Sequence, residues 1–146
     1  QVRRLVLSSG KGYFDLLKAR RANEQRDVAL VRLEQLYPFP IEEYETILRR
    51  YPNAREVVWC QEEPQNQGAW YQIRHRLQEP LNHEQELLYS GRAPAAAPAT
   101  GIPQLHSQQQ QGLVAAALTA STRDESARVT TRLRPTVKPT VSRKRS

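Results

Sequence analysis

Four short apolar runs limit what this chain can become: RRLVL at 3–7, VALVRL at 28–33, EVVWC at 56–60 and ELLYS at 86–90. Each is flanked by turn residues and has the length of a strand. The second carries β-branched and aliphatic residues with no break in apolar character, which suits a strand covered on both faces of a parallel sheet. Between the runs the apolar period changes from strand to helix. Tyr13, Leu16, Leu17 and Arg20 share one helical face, and Ile41, Tyr44 and Leu48 form the stripe of IEEYETILRR at 41–50. Trp70, Ile73 and Leu77 mark a third helix closed by Pro80, and Leu113, Val114, Ala117 and Leu118 mark a fourth over 108–120. Pro40 suits a first helical turn, while Glu42 and Glu43 at one end and Arg49 and Arg50 at the other complement the helix dipole. Strand and helix alternate four times. This predicts an open, mostly parallel, twisted α/β sheet with right-handed crossovers and helices on both faces.

With 146 residues, 38% of them hydrophobic, the chain has material for one core and not two. We place that α/β domain at 1–120. From Ser121 the sequence turns to Ser, Thr, Arg and Pro with scattered Val and Leu, which cannot bury enough apolar area to offset ordering. The expectation for 121–146 is a disordered basic tail. It holds eight Lys or Arg against Asp124 and Glu125, and so carries +6 of the chain's formal +7. The body is nearly neutral. The tail has no aromatic interleaving and no nucleic-acid motif, so only non-specific phosphate attraction is expected of it. No apolar run approaches the roughly 20 residues that span a bilayer, and no membrane association is expected. A single cysteine, Cys60, excludes an intramolecular disulfide and fits a reducing compartment. The first residue is Gln1, and we read the chain as a piece of something longer.

Candidate chemistry is sparse. SSGKG at 8–12 joins a strand to a helix, where backbone N–H groups can hold an anion, but it lacks the P-loop spacing and reads as a plain turn. Cys60 ends an apolar strand beside acidic residues and reads as a structural thiol. His75, His83 and His106 have no metal-ligand spacing, so no metal site is expected. Glu62 and Glu63 follow the third strand, where ligands of α/β sheets gather. Adjacent residues of an extended chain point opposite ways, which argues against a catalytic dyad.

RRLVLSSGKGYFDLL, VALVRLEQLYPFP, VVWCQEEPQNQGAW and YSGRAPAAAPATG followed by HSQQQQGLV occur in one order. Together they resemble the C-terminal domain of the thiamine-diphosphate-dependent decarboxylase component of 2-oxoglutarate dehydrogenase, over about residues 2–119. The resemblance implies a transketolase C-terminal-like fold within a homodimeric parent. That parent would decarboxylate 2-oxoglutarate oxidatively in the tricarboxylic acid cycle and pass the succinyl group to a lipoyl-bearing succinyltransferase of the same multienzyme complex. A 2-oxoadipate-type relative is the nearest alternative, and a stand-alone binding module with a nucleic-acid-attracting tail is a different one. The resemblance further implies that thiamine diphosphate and magnesium sit in two preceding domains, so no catalytic, cofactor-binding or metal residue is carried over. It implies a cytoplasmic location, or the mitochondrial matrix in a eukaryote. Glu62, Glu63, Gln67, Gly68 and Trp70 then become a candidate inter-domain loop.

Overall fold

A computed structural model of the chain describes residues 1–92, 103–119 and 132–133. The strands and helices alternate as the periodicity predicts: β1 (Arg4–Ser8), α1 (Gly12–Ala22), β2 (Val28–Arg32), α2 (Ile41–Arg50), β3 (Glu56–Pro64), α3 (Trp70–Gln78), β4 (Glu86–Arg92), α4 (Pro103–Leu118) and a two-residue β5 (Arg132–Leu133). The sheet order is β2-β1-β3-β4-β5. The first four strands are parallel, and β5 runs antiparallel to β4.

Alternation within the central strands divides the apolar residues between two cores. Leu5, Leu7, Val57, Trp59, Leu87 and Tyr89 face α2 and α3, which contribute Tyr44, Leu48, Trp70, Ile73 and Leu77. Val6, Val58, Cys60 and Leu88 face α1 and α4, which contribute Leu16, Leu113, Val114, Ala117 and Leu118. The two helices on the first face are joined by the Tyr44 hydroxyl, which donates to the Leu77 carbonyl at 2.8 Å.

Three expectations change. β2 is covered only in part on its two faces: Val28 is buried, but Ala29, Leu30 and Val31 are half-buried. Its place at the end of the strand order explains this, because an edge strand has a neighbour on one side alone. β3 continues beyond Cys60 to Pro64, so Glu62 and Glu63 belong to the strand rather than to a loop after it. α4 starts at Pro103, earlier than the apolar stripe alone indicates. The expected proline-rich crossing lies, from 93 to 102, outside the described residues, as does the expected tail except for Arg132–Leu133. Those two residues pair with Leu88 and Leu87.

One buried cation closes the domain. Arg4, in β1, is 4% exposed. Its Nε donates to Glu56 Oε2 at 2.7 Å, and its Nη1 donates to the carbonyls of Ala116 and Ala117 at 3.3 and 2.7 Å. Gln25 Nε2 adds a bond to the Leu118 carbonyl at 3.1 Å. The unsatisfied carbonyls and negative dipole end of α4 thus meet donors, one of them a cation. Removing the cation leaves Glu56 and the helix end without it, so Arg4→Ala is expected to cost about 3 kcal/mol in urea unfolding. The neighbouring Arg3–Asp27 pair is exposed. Arg3→Ala is therefore expected to cost about 0.5 kcal/mol or less.

Candidate functional site

The sheet has its topological switch point between β1 and β3, since β1 leads to β2 on one side and the chain then crosses back to β3 on the other. Such a point leaves a crevice at the carboxyl ends of the two strands. A cleft of about 280 Å³ lies there. The β1–α1 turn (Ser9, Gly10, Lys11, Gly12) lines it on one side, and the end of β3 (Cys60, Gln61, Glu62, Glu63) on the other, with Gln110 and Leu113 of α4 completing the wall. Gly10 takes a positive φ of 64°, which lets the chain leave β1 sharply into α1. The SSGKG turn is thus a wall of the crevice as well as a connection.

The acidic side is shaped by an irregularity. Cys60 pairs with Ser90 and Pro64 with Arg92, so three residues of β3 stand opposite Gly91 alone. A bulge of this kind bends its strand and re-aims side chains. Here it brings both carboxylate residues to the cleft, which regular alternation would not do. Glu62 is half-buried: its side chain packs against Gly12, and its Oε1 accepts from Gln110 Nε2 at 3.0 Å. Glu63 is exposed at the rim.

The bulge is held by Gln61, which is 6% exposed. Its Oε1 accepts from Trp59 Nε1 at 2.9 Å and from the Trp70 backbone N–H at 3.1 Å. Its Nε2 donates to the carbonyls of Glu63 and Pro64 at 3.1 and 3.0 Å. Both donors and both acceptor positions of the amide are used. One side chain therefore fixes the bulge, the turn at Pro64–Gly68 and the first residue of α3. Of the five candidate loop residues, Trp70 is fully buried against Tyr89, with ring centroids 5.1 Å apart. Gly68 faces inward, and a Cβ on it would lie 2.5 Å from Gln61 Nε2. Glu63 and Gln67 are exposed and Glu62 partly so. These three form the accessible part of the loop.

Cys60 lies on the cleft wall and is 4% exposed. Burial, with a smaller contribution from the Glu62 charge, pushes its thiol up from 9.0 to about 12. That opposes thiolate chemistry at neutral pH. His75 and His83 are exposed and remote in sequence from these walls. Among the described residues, no three His, Cys, Asp or Glu side chains form a group that could hold a metal ion. Reading the sequence alone passed over Gln61 and Gln110. The first had a local signal, since Trp59 and Gln61 fall on the same side of a strand that ends at a turn.

The family profile described as 2-oxoglutarate dehydrogenase C-terminal matches residues 1–118. The chain belongs to that family. Over 117 residues, 80% of this chain, it is 50% identical to the 2-oxoglutarate dehydrogenase E1 component of Haemophilus influenzae and 48% identical to that of Cupriavidus necator. Over 122 residues it is 50% identical to the E1 component of Azotobacter vinelandii. The matched region covers 12–13% of each of these three proteins, so the chain spans a small part of their length.

For this member of the 2-oxoglutarate dehydrogenase C-terminal family, two outcomes follow from the Gln61 and Cys60 geometry. Gly68→Ala forces the Gln61 amide to move and is expected to cost about 1–3 kcal/mol in chemical denaturation. The cost should shrink in a Gln61→Ala background, where the clash is gone, by at least about 0.5 kcal/mol. The raised Cys60 pKa stabilises the folded chain fully below pH 9.0, and that contribution is lost as pH rises towards about 12, because the unfolded thiol ionises first. Thermal unfolding of the parent chain should therefore weaken more steeply than that of Cys60→Ala between those pH values.

Proposed function

We propose that the chain is the C-terminal domain of a 2-oxoglutarate dehydrogenase E1 component, acting as a framework that joins the other domains rather than as a catalytic unit. The observation that carries this reading is the family match across residues 1–118 combined with identities near 50% to E1 components. The names of those relatives favour 2-oxoglutarate over 2-oxoadipate as the substrate of the whole enzyme, and they speak against a stand-alone binding module. In that enzyme the remaining domains perform thiamine-dependent oxidative decarboxylation and deliver a succinyl group to the lipoyl-bearing transferase. The working unit is a homodimer in the cytoplasm, or in the matrix of a mitochondrion. Any nucleic-acid attraction is non-specific and comes from the basic stretch after Ser121.

The described residues of this domain do not fit the cofactor. Magnesium takes oxygen ligands in near-octahedral geometry. Among the described residues no suitable cluster exists. The crevice also presents Glu62 and Glu63 where a diphosphate would bring further negative charge.

Its own contribution is mechanical. The Gln61-held bulge offers Glu62, Glu63 and Gln67 on a rigid mount, which suits a polar contact with a neighbouring domain. In the full-length enzyme, Glu63→Gln and Gln67→Ala are expected to weaken assembly, read by sedimentation. Single-turnover decarboxylation should fall by less than the roughly 100-fold that marks loss of a general acid or base. A thousand-fold loss in the chemical step, with the dimer intact, would make the carboxylates catalytic and overturn the reading.

A further inference from the structure

The two halves of α4 are held in different ways. The second half is fastened to the sheet: Leu113, Val114, Ala117 and Leu118 are buried in the core, and Arg4 and Gln25 bond the carbonyls of its last turn. Ser90 Oγ donates to the Leu113 carbonyl at 2.8 Å and marks where this fastening begins. The first half is tied across the mouth of the crevice by Gln110. Its Nε2 donates to Asp15 Oδ2 on α1 at 3.1 Å and to Glu62 Oε1 on β3 at 3.0 Å. Gly112 stands at the junction. A Cβ on Gly112 would meet nothing within 4 Å, so no packing demands a glycine there. Glycine nevertheless weakens a helix interior, by leaving the backbone freer. The closed position is also imperfectly satisfied, since Gln109 Oε1 and Gln110 Oε1 are buried with no donor.

We propose that α4 before Gly112 acts as a lid at the Gln110 side of the switch-point crevice, hinged at Gly112 and latched by Gln110 to Asp15 and Glu62. Opening breaks two side-chain hydrogen bonds and leaves the second half of the helix in place. It widens the crevice beside Cys60, on the side that Gln110 lines. The lid is independent of the proposed role in the E1 component, because it concerns access to a cleft formed by this chain alone.

The chain's single cysteine supplies the reporter. The 146-residue chain is mixed with an aromatic disulfide reagent at fixed pH. The Cys60 sulfur forms a mixed disulfide and one coloured aromatic thiolate leaves, with the thiol proton passing to buffer. Labelling in dilute urea measures local opening, which exposes little surface and depends weakly on denaturant; labelling through global unfolding follows the full unfolding slope. Gln110→Ala removes both latch bonds and is expected to speed the urea-insensitive labelling by about tenfold. Gln110→Glu keeps helix propensity and sets a third carboxylate beside Asp15 and Glu62, so it should also accelerate. Gly112→Ala stiffens the hinge without a clash and should slow the same phase by about threefold to fivefold. Gln111→Ala, on an exposed neighbour, should leave it unchanged. Wild-type labelling rates in both Gln110 variants would overturn the proposal. So would an unslowed Gly112→Ala chain, or acceleration that carries the urea dependence of global unfolding.

Discussion

A buried amide with four hydrogen bonds governs the functional end of this domain. Burying Gln61 without partners would cost several kcal/mol, so its place inside is tenable only while Trp59, Trp70, Glu63 and Pro64 hold their positions together. The constraint works in both directions. The amide keeps the bulge from relaxing into regular strand, and the bulge keeps the carbonyls of Glu63 and Pro64 within reach of the amide. Gly68 completes the arrangement because a side chain there would occupy the amide's own space. What looked in the sequence like a pair of acids at the end of a strand is the outward expression of this inward-facing glutamine.

The polar rim and the crevice are therefore two products of one irregularity. Three residues opposite one on β4 turn Glu62 towards α4 and leave Glu63 at the surface. A regular strand would send one of them into the core face.

Much of this architecture was legible in the chain itself. Short unbroken apolar runs located the strands, and stripes such as Trp70, Ile73 and Leu77 located the buried helix faces, since both patterns report burial directly. The order of four consecutive motifs also identified the family, which the profile match over 1–118 bears out. Other features left no local trace. An aliphatic run reads alike at the centre or the edge of a sheet, so the half-exposure of Ala29, Leu30 and Val31 was hidden. Gln110 lies 95 and 48 positions from Asp15 and Glu62, and nothing in a polyglutamine run says which member bridges two carboxylates. The bulge escaped notice because two competing rules met at Gln61: strand alternation places it, and side-chain hydrogen bonding then overrides the alternation beyond it.

Arg4 joins the beginning of the domain to its end. Its partners at Ala116 and Ala117 lie 112 and 113 positions away, so the contact that fastens α4 is among the most distant in sequence that the domain makes. During synthesis, a cation at the fourth position must wait until the last turn of α4 has left the ribosome. Until then β1 can pair with its neighbouring strands, but the face carrying Val6, Val58 and Leu88 has no cover from α4. A nascent chain halted before Ala116 would carry that apolar face open to chaperones and to other unfinished copies.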